Sequence, residues 1–190
     1  MTNKKPEITV FAGPNGSGKS TVMTASPHVV QPYINADDIK RTTHCNDIKA
    51  ATDAEEMRRH CVERKQNFSF ETVLSTDRNL DLLRRAKENG YFIRGIFVLT
   101  AHPELNVMRV EARAKAGGHS VPIDKIHSRY YKSIDNVVEF IKLCDVCHIY
   151  DNTEDEPIRI FKKKRFEFLC LETKHWSVKK IFKLIGKNID

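Results

Sequence analysis

"VFAGPNGSGKSTV", residues 10–22, sets three glycines, a proline and an asparagine inside an apolar run and follows them directly with Lys19, Ser20 and Thr21. A plain turn needs one glycine, whereas this stretch carries Gly13, Gly16 and Gly18. From Gly13 to Ser20 the spacing is G-x-x-x-x-G-K-[ST]. Ile8, Thr9, Val10 and Phe11 read as a buried strand before it, and good helix formers follow. Glycines allow successive N–H groups to point inward at phosphate oxygens, in conformations a side chain would block. A helix starting near Lys19 adds its positive end to the same spot. The stretch Gly13, Pro14, Asn15, Gly16, Ser17, Gly18, Lys19, Ser20 and Thr21 is therefore predicted to bind ATP. Lys19 would reach the β- and γ-phosphates, and the Ser20 hydroxyl would sit on Mg²⁺. A glycine-rich turn with no ligand is the alternative, and it leaves the fixed lysine and serine unexplained.

The chain has 190 residues, which suits one domain with its own core. Its composition, 40% hydrophobic and 30% charged, is ordinary for a globular protein and excludes a disordered or fibrous class. "MTNKKPE" runs straight into the first strand, so no signal peptide is expected, and no apolar run is long enough to span a bilayer. A phosphate-loop enzyme of this kind is expected in the cytoplasm, with its five cysteines as free thiols. Cys144 and Cys147 form a C-x-x-C that lacks a second ligand pair at zinc spacing. The formal charge of +7 comes partly from Lys162-Lys163-Lys164-Arg165 and from the tail between Trp176 and Lys187. Such a cluster reads either as a solvated hairpin or as a nucleic-acid contact.

Along the chain, "YIN" (33–35) is a short apolar step, residues 47–66 look helical, and "FSFETV" (68–73) alternates into a strand. Asp77 reads as the cap of a helix running to Gly90. "YFIRGIFVL" (91–99) is the strongest strand. Pro103 opens a helix to about Ala116, "GGHSVP" breaks it, and one further helix is expected from Pro122 to about Leu143. "VCHIYDN" is another strand, and a hairpin and an amphipathic helix occupy about 156–190. Strands alternating with helices predict an α/β fold, a phosphate-loop NTPase three-layer α/β/α sandwich around a mostly parallel sheet. Residues 1–190 are read as a single domain with a helical lid at about 103–125.

Ligands in such a sheet sit at the carboxyl ends of the strands. Three residue groups follow predicted strands. "INADDI" offers Asp37 and Asp38; one carboxylate there can accept the proton of an attacking hydroxyl, and either can cap a helix. "FETVLS" offers Glu71 and Thr72, a carboxylate and a hydroxyl able to grip an acceptor, or an ordinary exposed strand end. "RVEARAKAGGHSVP" puts Arg109 and Arg113 four apart on one helical face, with glycines and His119 following. Arginines on a closing segment can meet the charge that phosphoryl transfer develops, and Arg129 on the next helix is a reserve candidate. The strand "GIFVLT" (95–100) ends in threonine, with no aspartate where a motor ATPase carries one. One compact domain with a lid fits a small-molecule kinase.

Taken in order, "GPNGSGKST", "INADDI", "FSFETVLS" and "RVEARAKAGGHSVPIDKIHSRYYKSIDN" resemble the zeta-toxin family of phosphate-loop kinases, in its short single-domain bacterial branch. The similarity covers most of residues 7–152. It implies an ATP- and Mg²⁺-dependent kinase that phosphorylates the 3'-hydroxyl of the amino sugar of UDP-N-acetylglucosamine, with an antitoxin protein able to block the nucleotide site. By motif, Lys19 and Ser20 match the loop lysine and the Mg²⁺ ligand, and Asp37 matches the catalytic base. Glu71 and Thr72 match the substrate-holding pair, and Asp37, His119 and Arg129 are expected to bind the substrate with them. Arg109 and Arg113 match the lid arginines, or, one helical turn along, Arg113 and Arg129 do. Two rival readings use the same residues. One is a kinase for another nucleoside, sugar or antibiotic; the other is an NTP-dependent nucleic-acid-binding module, for which a specific nucleic-acid partner is not expected.

Overall fold

In a computed structural model, residues 5–118 and 120–187 are described. Seven strands form one sheet in the order β2-β3-β1-β4-β5-β6-β7. β1 (Glu7–Ala12) lies at its centre, paired in parallel with β3 (Phe68–Thr72) on one side and β4 (Phe92–Leu99) on the other. β2 (Tyr33–Ile34) and β5 (Val146–Asp151) extend the parallel part outward. β6 (Ile158–Lys164) and β7 (Glu167–Cys170) are the expected hairpin, added antiparallel at the far edge.

Strand alternation sorts side chains to two unequal faces. Ile8, Val10 and Ala12 of β1 and Ile93, Phe97 and Leu99 of β4 enter the large core. There they meet α3 (Asp47–Glu63), α4 (Arg78–Glu88), α7 (Val137–Leu143) and α8 (Val178–Leu184) through Ala54, Cys61, Leu80, Leu83, Phe140 and Ile181. Phe11, Ile96 and Val98 face the other way and pack on Val22 of the short α1 (Lys19–Thr24). Helices on both faces make the three layers. α2 (Ala36–Thr43) follows β2, while α5 (Pro103–Lys115) and α6 (Ile123–Asp135) pack on each other through Val110, Val121 and Ile126.

Several local expectations change. The helix foreseen over 122–143 is two, α6 and α7, joined at Asn136, whose Nδ2 donates to the Leu74 carbonyl at 3.0 Å. Asp77 precedes α4 but makes no side-chain cap bond. The basic run is not merely a solvated patch: Lys163 Nζ donates to Ile141 O at 2.7 Å and Cys144 O at 2.8 Å, satisfying carbonyls at the end of α7. Cys144 and Cys147 are buried thiols, and burial, then the neighbouring Cys147, holds Cys144 well above the usual thiol range. No described helix is long and apolar enough to cross a membrane.

Candidate active site

The carboxyl ends of β1, β3 and β2 open onto a cleft of about 600 Å³. The phosphate-binding stretch forms one wall. Gly16 has φ +75° and Gly18 φ +88°, so both occupy the left-handed region that glycine alone enters freely. They are also crowded from outside. A Cβ on Gly16 would lie 2.5 Å from Asn106 O, and one on Gly18 would lie 2.0 Å from Asn152 Nδ2. Lys19 is buried and folds back, its Nζ donating to Gly13 O at 2.8 Å and Pro14 O at 2.9 Å. Desolvation lowers its pKa; Glu71 opposes that shift, Arg113 adds to it, and Asp37 opposes it again.

The loop is held by groups that the sequence pattern does not reveal. Asn106, fully buried on α5, donates from Nδ2 to Asn15 O at 2.6 Å, while its Oδ1 accepts from Thr100 Oγ1 at the end of β4. Tyr130 of α6 donates to Thr100 O at 2.6 Å. A second arm runs from Arg109 Nη1 to Asn152 O at 2.7 Å and from Asn152 Nδ2 to Ser17 O at 2.8 Å. These partners lie up to 135 positions apart in the chain, so only the fold brings them together. Asn106→Ala deletes two buried bonds and strands their partners, at a cost of about 1–3 kcal/mol. The expected outcome is a clear fall in melting temperature by calorimetry, with Asn106→Asp recovering part of it through the retained acceptor.

Opposite the loop stand the candidate chemical groups. Asn35 caps α2, its side chain accepting from Asp37 N at 2.9 Å, so neither aspartate is spent on that role. Asp38 accepts from Arg41 Nη2 at 2.7 Å, and it is Asp37 that lines the cleft. Glu71 Oε2 accepts from Ser20 Oγ at 3.2 Å and from Tyr33 OH at 3.3 Å, and Oε1 lies 3.8 Å from Lys19 Nζ. Thr72 Oγ1 accepts from Leu74 N and Asn79 Nδ2, and Thr72 O accepts from Gly13 N at 3.1 Å. Asn15, Gly16, Lys19, Glu71, Thr72, Arg113 and Arg129 also line the cleft. Thr21 is exposed on α1, and Arg109 is engaged with Asn152 rather than lining the cleft. His119 lies outside the described residues. Farther out, Ala50, Ala51 and Ala54 make a low wall on α3, with Arg58 and an Arg78–Glu55 pair at 3.2 Å.

The family profile for the zeta toxin matches residues 34–165, a span that begins after the phosphate loop and takes in Asp37, Glu71, Arg113 and Arg129. This chain belongs to the zeta-toxin family. A relative in Haemophilus influenzae, itself uncharacterized, is 30% identical over 125 residues, covering 63% of this chain and 89% of its own. Among solved structures, the AvrRxo1-ORF1:AvrRxo1-ORF2 complex is similar with a TM-score of 0.73 at 13% identity, over 96% of this chain. This zeta-toxin family member spans only 64% of that longer chain. The PezAT toxin–antitoxin system of Streptococcus pneumoniae gives 0.58 at 17% identity, over 83% of this chain and 72% of that one. At such identities the likeness concerns the fold.

Proposed function

We propose that this protein is an ATP-dependent kinase that phosphorylates a hydroxyl of a sugar nucleotide, with UDP-N-acetylglucosamine as the first acceptor to test. One observation carries the reading: loop residues Lys19 and Ser20, the carboxylates Asp37 and Glu71, and the guanidinium groups of Arg113 and Arg129 gather around the mouth of one cleft. Lys19 would turn from its own loop carbonyls to the phosphates. Asp37 would accept the proton of the acceptor hydroxyl as its oxygen attacks the γ-phosphorus of ATP in line, the bond to the bridging oxygen breaking and ADP leaving, and Arg113 and Arg129 would meet the charge that develops. Mg²⁺, when bound, would neutralise charge on the β- and γ-phosphates, and a serine hydroxyl beside a carboxylate is the hard oxygen set it takes. Most of the catalysis would be positioning and electrostatics.

Membership of the zeta-toxin family supports the kinase reading, and the PezAT likeness supports an antitoxin protein as a partner able to cover the nucleotide site. The acceptor is tested by offering sugar nucleotides and nucleosides with ATP and looking for an added phosphate by mass spectrometry. Phosphate on UDP-N-acetylglucosamine supports the full proposal; phosphate only on another acceptor keeps the kinase and replaces its substrate. The two aspartates give a sharper check. Asp37→Asn is expected to lower kcat by about a hundredfold or more with ATP affinity nearly unchanged, since a positioned base contributes that much to the chemical step. Asp38→Asn, losing a surface pair with Arg41, is expected to stay close to wild type.

A further inference from the structure

We propose that Glu71 is the carboxylate that orients the magnesium ion accompanying ATP, and that gripping the acceptor is not its main task. The inference rests on the kinase reading and adds a metal role to it. Glu71 is paired in register with Phe11, on the strand beside the one that feeds the phosphate loop. Its side chain falls on the α1 side of the sheet, and there it accepts from the hydroxyl of Ser20 at 3.2 Å. The loop serine is the side chain that touches Mg²⁺ in phosphate-loop enzymes, and an acid at a strand end is its usual companion.

On the other side of β1, the ends of β4 and β5 do not supply that acid. β4 runs out into Leu99 and Thr100, and the Thr100 hydroxyl is turned to Asn106. β5 ends in Asp151, whose Oδ1 accepts from the backbone and hydroxyl of Thr153 and whose Oδ2 accepts from Thr173. Glu71 is thus the strand-end carboxylate joined to the loop serine. Tyr33 OH, bonded to the same Oε2 and itself accepting from Asn35 Nδ2 at 3.3 Å, fixes the carboxylate's rotamer. A carboxylate and a hydroxyl completing a shell of phosphate oxygens and water is the way Mg²⁺ is usually bound. Lys19 lies 3.8 Å from Oε1, so the carboxylate is also balanced when no metal is near.

The test separates metal from acceptor by measuring binding without turnover. ATP affinity is measured calorimetrically with Mg²⁺ and with EDTA, for wild type and Glu71→Gln, and Mn²⁺ retained with ADP is followed by electron paramagnetic resonance. Groups that orient a metal are worth about 10–100-fold in its affinity. Glu71→Gln is therefore expected to lose about tenfold or more of the Mg²⁺-dependent gain in ATP affinity and of Mn²⁺ retention. Its affinity in EDTA is expected to hold or rise. Glu71→Asp, keeping the charge on a shorter arm, is expected to recover part of the metal dependence. Melting curves check that each variant is folded. Equal Mg²⁺ dependence in Glu71→Gln and wild type overturns the proposal, and a raised acceptor KM alone would return Glu71 to substrate holding. A wild-type protein that binds no ATP fails earlier, at the kinase reading itself, and takes this proposal with it.

Discussion

Lys19→Ala is expected to abolish phosphoryl transfer, with turnover falling by several orders of magnitude, in a protein that still folds. The two halves come from one geometry. The ammonium group is buried beneath the loop and donates to the carbonyls of Gly13 and Pro14, with Glu71 at 3.8 Å. It packs into no apolar cluster, so no core is lost with it. Burial lowers its pKa, which means that the folded state resists the protonated form. For a lysine shifted this way the penalty is present at neutral pH and fades only as pH rises towards its unfolded value, so lifting it works against the loss of the two bonds to Gly13 O and Pro14 O. The phosphates, by contrast, lose the cation that must follow their charge into the transition state. Steady-state kinetics with a melting curve decides the matter. Near-normal turnover in a folded Lys19→Ala protein would sink the kinase assignment.

What the sequence made legible was local. The G-x-x-x-x-G-K-[ST] spacing, the unbroken apolar strands around it and the strand–helix alternation each depend on neighbours a few residues away, and they give the α/β class and a mostly parallel sheet, but not the strand order that places β1 between β3 and β4. What stayed hidden depends on residues that meet only in the fold. Asn106 reaches Asn15 across 91 positions, and Asn152 reaches Ser17 across 135. An asparagine in mid-helix announces neither contact. "NADD" is another kind of ambiguity, since Asn35, Asp37 and Asp38 are all competent caps and only the backbone decides that Asn35 does it. Lys163 looked like one of four equivalent charges because a strand pattern does not say which helix end lies beneath it.

The arginines show the same limit, and the second large effect tests them. Periodicity puts Arg109 and Arg113 on one face of α5, but four residues are also about 6 Å of helix axis. That step separates their surroundings. Arg109 is drawn to Asn152, behind the loop, while Arg113 reaches the cleft together with Arg129 from α6. Arg113→Ala and Arg129→Ala are each expected to lower kcat by about a thousandfold, since an arginine meeting transferred charge is worth that much, with little change in ATP affinity. Arg109→Ala is expected to act the other way, weakening nucleotide binding through a loosened Asn152 and Ser17 while sparing kcat at saturation. Gly118 supplies an uncharged companion to these variants. A Cβ there would stand 2.8 Å from the Arg113 Cγ, so Gly118→Ala must push that side chain aside and should lower kcat without altering any charge. Initial rates over a matrix of ATP and acceptor concentrations separate these outcomes. If Arg109→Ala alone costs kcat, the charge-meeting group belongs one helical turn nearer the loop. If neither Arg113→Ala nor Arg129→Ala changes kcat, transition-state stabilisation rests on Lys19 and the metal, and α5 and α6 serve to hold the loop from outside.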